Sequence, residues 1–222
     1  ADTGKPAPEE GVRFYAAAGF SPEALAEYKE RFGFFGKFVS KLPESYVRIH
    51  EGDYLQLGEH SWQVIIGRGH SPEHACLYCK KLNILVSGDQ VLPTISANVS
   101  VWPTEPEANP LRYWLESLAA LRDQVPDDVL VLPAHGKPFR GAHERIDRII
   151  AEHVERLDAL REFCVEPRRT IDTFEVLYKR RVPGSHTMMA TGEAIAHLHY
   201  LRWAGEIAVE ADDAGVLWFS AR

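Results

Sequence analysis

Trp62-Gln63-Val64-Ile65-Ile66, running into Gly69-His70-Ser71, is a short apolar run that ends at a glycine turn and a histidine. The same pattern occurs twice more. Asn83-Ile84-Leu85-Val86-Ser87-Gly88 leads into Asp89, and Asp128-Val129-Leu130-Val131-Leu132-Pro133 leads into Ala134-His135-Gly136. Length, β-branched content and flanking glycine or proline mark all three as strands. Strands that share one sheet and one direction deliver their following loops to a single edge. Two imidazoles and a carboxylate would then meet, a donor set suited to a borderline metal such as zinc.

Working outward, residues 1–11 are polar and rich in Pro and Gly and read as an irregular lead-in, followed by helices over 12–18 and 21–32. Ser21-Pro22-Glu23 is a helix start, with serine as N-cap and proline in the first turn. Phe32, Phe34, Phe35 and Phe38 form an aromatic cluster expected in the core. Residues 46–49 and 54–57 read as short strands around the Glu51-Gly52-Asp53 turn, and Ala75 to Tyr78 reads as another. Residues 90–106 show no period and read as a long loop crossing the site. Leu111, Trp114, Leu115, Leu118 and Leu121 have helical spacing.

Beyond Gly141 the texture changes. Ile146, Ile149, Ile150, Val154, Leu157 and Leu160 stripe a long helix over 142–164. Helices over 171–181 and 187–204 follow, and Ile207-Ala208-Val209 and Val216-Leu217-Trp218-Phe219 flank a turn as a hairpin. The expected division is a sheet-bearing domain over 1–141 and a helical, winged-helix-like domain over 142–222.

Composition narrows the chemistry. A net charge of −7 over 222 residues disfavours nucleic acid as the main partner. The segment 143–222 carries eleven Lys and Arg against fourteen Asp and Glu, and residues 187–201 contain neither Lys nor Arg. A duplex reader needs cations on phosphate, so a lid or a homodimer interface suits this segment better. No apolar run approaches the roughly 18–20 residues of a membrane span. Three cysteines, Cys76, Cys79 and Cys164, make an odd set that fits a reducing cytoplasm better than a disulfide framework. Cys76-Leu77-Tyr78-Cys79 has C-x-x-C spacing, but on a strand its sulfurs face opposite sides. The expectation is two buried thiols.

Taken together, Gly69-His70-Ser71-Pro72-Glu73-His74, Ser87-Gly88-Asp89 and Pro133-Ala134-His135-Gly136 resemble the last three ligand motifs of the metallo-β-lactamase superfamily. Their order and spacing resemble its hydroxyacylglutathione hydrolase-like branch. The resemblance implies a mixed α/β fold, an αββα sandwich with two metals at its edge. It implies His70 on one metal, His135 on the other and Asp89 bridging both and orienting the attacking water. It also implies hydrolysis of an ester, thioester or similar bond in a small-molecule substrate. The metals expected are zinc, with iron or manganese suited to the same donors. His74 is expected behind the ligands or facing substrate, and Lys137 near an anionic substrate group or in solvent.

The family's upstream H-x-H-x-D-H motif does not occur in residues 1–222. The one H-x-H, His197-Leu198-His199, lies in an expected helix, where positions two apart point about 200° apart. The absent motif, and the absence of methionine before Met188, lead to the expectation of an incomplete sandwich cut from a longer precursor. Such a piece would be inactive without its missing N-terminal segment. A non-catalytic scaffold and a nucleic-acid-binding winged-helix protein are the alternative readings.

Overall fold

The direction of the strands decides whether the three loops can meet. In the computed structural model, which describes residues 5–40, 43–178 and 181–222, five strands form one sheet. They are β1 (Tyr54–Leu57), β2 (His60–Gly67), β3 (His74–Cys79), β4 (Ile84–Gly88) and β5 (Leu130–Pro133), in spatial order β1-β2-β3-β4-β5. The first three pairings are antiparallel and β4 pairs β5 in parallel. It follows that β2, β4 and β5 run in the same direction. Their C-terminal ends share one edge of the sheet, where antiparallel β3 begins.

This sheet belongs to a unit made of Arg48–Ser100 and Asn109–Asp158. Paired residues share a face and successive residues alternate, so the register sorts the side chains. One face carries Ile65, Cys76, Tyr78, Leu85 and Val131, all buried. Helix α3 (Pro110–Gln124) packs against β2 and buries Leu111, Trp114, Leu118 and Leu121. Asn109 caps it by accepting the Arg112 N–H, with Pro110 in the first turn. The opposite face carries Leu55, Leu57, Trp62, Val64, Ile66, Leu77, Cys79, Ile84, Val86, Leu130 and Leu132. Val64 and Cys79 are buried, but Leu57 is 49% and Val86 36% exposed and the others keep partial exposure.

A second unit comprises Ala1–Val47, Val101–Ala108 and Ala159–Arg222. It contains α1 (Glu9–Ala17), α2 (Pro22–Arg31), the end of α4 (Ala142–Phe163), β6 (Arg168–Arg169), α5 (Phe174–Leu177), α6 (Thr187–Trp203), β7 (Ile207–Ala211) and β8 (Leu217–Ala221). The last three strands form a sheet of order β6-β8-β7. Tyr15, Leu160, Leu198, Leu201, Ile207 and Phe219 are among its buried side chains. Ser21 caps α2 by accepting the Ala24 N–H at 3.3 Å. The turn before α4, where the sequence texture changes, is not where the compact units part. They part at 158/159, inside this continuous helix, and α1 and α2 fall in the same unit as the C-terminal segment.

Several local expectations need correction. Helix α1 starts at Glu9, three residues earlier than its apolar spacing shows, because Glu9 and Glu10 suit the positive end of a helix. Residues 46–49 form no strand, and Tyr46 and Val47 are exposed. The phenylalanine cluster is not core: Phe34 and Phe38 are 52% and 73% exposed and meet edge-on at 5.3 Å. Their segment is one 3-10 turn at Phe34–Lys37, too short to turn every ring inward. The Phe35 side chain lies outside the described residues. The helix expected over 171–181 is a 3-10 turn, Thr170–Thr173, followed by α5, which ends at Leu177; Lys179 and Arg180 lie outside the described residues.

Candidate metal centre

The loops leaving β2, β4 and β5 bring His70, Asp89 and His135 together at the common edge. His70 Nε2 lies 3.6 Å from Asp89 Oδ2, and His135 Nε2 lies 3.5 Å from Asp89 Oδ1. Each carboxylate oxygen therefore faces a different histidine, at distances beyond a hydrogen bond. The Ala134 N–H donates to the Gly88 carbonyl at 3.0 Å, which ties the His135 loop to the end of β4. His135 is 70% exposed, against 32% for His70 and 26% for Asp89, so the cluster opens to solvent on the His135 side. Among the described residues, no group of three or more His, Cys, Asp or Glu is gathered tightly enough to hold one ion.

The surroundings fix these groups one by one. His70 Nδ1 sits 2.8 Å from the Asn98 carbonyl oxygen and can only donate to it, which leaves Nε2 with the lone pair turned towards Asp89. His74, at the start of β3, accepts the Asp89 backbone N–H through Nε2 at 3.2 Å. Burial, with His70 as the next influence, holds the His74 pKa below the ordinary imidazole value. His74 thus acts on the carboxylate's backbone and its Nε2 is committed there. The approach requires glycine at 88: a Cβ would stand 2.2 Å from His74 Nε2, and the φ of +53° is left-handed. Gly69 is similarly constrained, at φ +103° with a would-be Cβ 2.5 Å from Trp114 Cβ.

The loop that presents Asn98 is anchored from α4. Arg145, 8% exposed, donates to the carbonyl oxygens of Leu92 at 2.6 Å and Ile95 at 2.9 Å. The fully buried His153 meets Ser96 Oγ at 3.2 Å. These three residues escape sequence reading. Asn98 acts through a backbone carbonyl that any residue could supply. Arg145 and His153 reach across more than about fifty positions from an ordinary amphipathic helix.

Lys137 is exposed in the turn that returns to pair Phe139 with Val131. Cys76 and Cys79 are buried on opposite faces of the sheet. Burial raises the Cys76 pKa to about 12, and its thiol meets the Ser87 carbonyl. In α6, His197 Nδ1 bonds the Glu193 carbonyl and His199 Nδ1 that of Ala108, so the pair does not converge. Among the described residues, no helix is long and apolar enough to cross a membrane.

The chain is similar to known proteins over most of its length. A sequence model of the metallo-beta-lactamase superfamily matches residues 6–137, and one for a metallo-beta-lactamase-like C-terminal domain matches residues 157–222. A crystal structure of a beta-lactamase domain protein from Burkholderia ambifaria is 40% identical, with a TM-score of 0.88 over 94% of this chain and 60% of that one. A metallo-beta-lactamase family protein from Thermus thermophilus is 26% identical, with a TM-score of 0.76 over 96% of this chain and 64% of that one. An uncharacterized protein from Aquifex aeolicus is 31% identical over 103 residues, 46% of each chain. The chain thus spans less than two thirds of the length of each of these relatives.

Proposed function

The chain belongs to the metallo-beta-lactamase superfamily, and on that premise we propose that His70, Asp89 and His135 are half of a two-metal hydrolytic site. His70 and His135 would each hold one divalent ion, and Asp89 would hold both. One observation carries this reading. Two donors bound about 2.0–2.2 Å from one tetrahedral ion lie roughly 3.4 Å apart. The imidazole-to-carboxylate separations are 3.6 and 3.5 Å, one to each oxygen of Asp89. Hydrogen bonding would draw such groups closer, and indifferent neighbours would not match the value twice. Zinc suits this donor set, as do iron and manganese.

Metals bound here would supply Lewis-acid polarisation of a substrate oxygen and a water acidic enough to be deprotonated near neutrality. The chain's own contribution is positioning. Asn98 and His74 hold the inner histidine and the carboxylate, and the exposed His135 side leaves an approach for a small ester or thioester. A catalytic site normally has three protein ligands per ion, whereas this cluster offers two. We therefore read residues 1–222 alone as catalytically inactive, with the remaining ligands supplied by an upstream H-x-H-x-D-H segment of a longer protein.

Zinc titration of the 222-residue chain, followed by imidazole 15N signals, tests the ligand assignment. The Nε2 signals of His70 and His135 should respond, and Asp89→Ala should weaken both responses at least tenfold. An Asp89→Ala chain that binds at both histidines as before would remove the bridge from the account. His74→Gln should weaken binding by about 10- to 100-fold, as outer-shell losses do.

A further inference from the structure

The unit containing the C-terminal segment holds a cavity of about 480 Å³ that the metal centre does not use. Phe14 and Ala17 of α1, Ile195 and His199 of α6, and Leu217 and Phe219 of β8 line it. This volume and this lining match small-molecule sites, which are mostly apolar with a few placed polar groups. The charged side chains at its margin are already engaged. Arg13 pairs with Glu10 at 3.1 Å, and Glu107 pairs with Arg202 at 2.9 Å. A charged ligand would find no spare counter-ion among them.

His199 is the exception to the apolar wall. It is 3% exposed, and its Nδ1 lies 2.9 Å from the Ala108 carbonyl oxygen, to which it donates. That bond leaves Nε2 as a lone-pair acceptor with no partner among the described residues. An acceptor that no protein donor reaches gains a hydrogen bond when a ligand brings a donor. We propose that this cavity binds an uncharged, largely apolar small molecule bearing one hydroxyl or N–H group, which donates to His199 Nε2. Burial is the leading influence that lowers the His199 pKa, so the imidazole stays neutral and keeps its acceptor. The site does not depend on the reading of the metal centre.

The test is a 15N NMR titration of the 222-residue chain with 4-ethylphenol and with ethylbenzene, which has the same apolar body and no donor. Both should shift the amides of Ala17, Ile195 and Leu217 saturably. The phenol should bind about five- to tenfold tighter, the value of one hydrogen bond, and it alone should move the His199 Nε2 signal. His199→Phe should equalise the two probes. Ala17→Phe, which fills the space and leaves the imidazole intact, should weaken both at least tenfold. Equal affinities in the native chain would overturn the hydrogen bond, and no saturable shift at these amides would overturn the site.

Discussion

The two faces of the five-stranded sheet differ in an unexpected sense: the face richer in apolar residues is the less buried one. Leu85 is fully buried under the α3 side, while its neighbour Val86, on the other face, is 36% exposed. A sheet with one solvated face alternates apolar and polar residues, whereas strands covered on both faces read as continuous apolar runs. Strands β2, β4 and β5 are of the second kind. Their composition therefore calls for a cover on the half-exposed face, as the proposal of an incomplete sandwich requires. The edge that carries His70, Asp89 and His135 is organised through Arg145, His153 and Asn98.

The strongest way to break this comparison is to truncate the two neighbours separately. Leu85→Ala should lower unfolding free energy by about 2–5 kcal/mol. Val86→Ala should cost less than about 1 kcal/mol, since little is lost where the side chain keeps solvent contact. Urea denaturation reads both, and equal losses would mean the two faces are covered alike.

Next in size is Arg145→Met, which removes two charge-assisted hydrogen bonds and leaves the Leu92 and Ile95 carbonyls without their donor. A loss of about 2–3 kcal/mol is expected. Faster amide exchange confined to residues 92–98, with a changed His70 imidazole 15N pattern, would tie the effect to the loop. A uniform change in exchange would make Arg145 merely structural.

The closed core of the other unit should show a pH signature that the half-exposed face lacks. Burial places the His199 pKa below its ordinary value near 6.5, so the native chain binds fewer protons than the unfolded one. This contribution to stability is present above about pH 6.5 and is lost as pH falls below it. His199→Gln should flatten that part of the curve in urea unfolding at several pH values. An unchanged slope would place the titration elsewhere. The smallest effect expected is on the half-exposed face itself: Leu57→Ser with Val86→Ser should change stability by about 0.5 kcal/mol or less. The pair should reduce binding of a hydrophobic dye, and undiminished dye binding would locate the sticky surface elsewhere.

Much of the site could be read along the chain because its groups sit at the ends of unmistakable strands. A β-branched run followed by Gly-His, Gly-Asp or Pro-Ala-His places the side chain just past the strand's end. The common direction of β2, β4 and β5 then brings both histidines within 3.6 Å of Asp89. Local patterns also sufficed for α2 and α3, where caps and periodicity mark the run. They failed where the outcome depends on a partner. Residues 46–49 have strand chemistry but pair with no strand, and the phenylalanines near 34–38 have core chemistry but only a 3-10 turn to direct them. The two-residue strand β6 consists of Arg168 and Arg169 and has no apolar signature. The contacts that orient His70 and the loop before Asn98 link residues 28 to 53 positions apart through backbone carbonyls, which composition does not mark.

The central claim is that this chain carries half of a two-metal site, one histidine per ion and a shared Asp89. Elemental mass spectrometry of the purified 222-residue chain after dialysis against metal-free buffer tests it most directly. The account predicts well under two metal ions retained per chain. Two ions held through dialysis would contradict it, because the site would then be complete without further ligands.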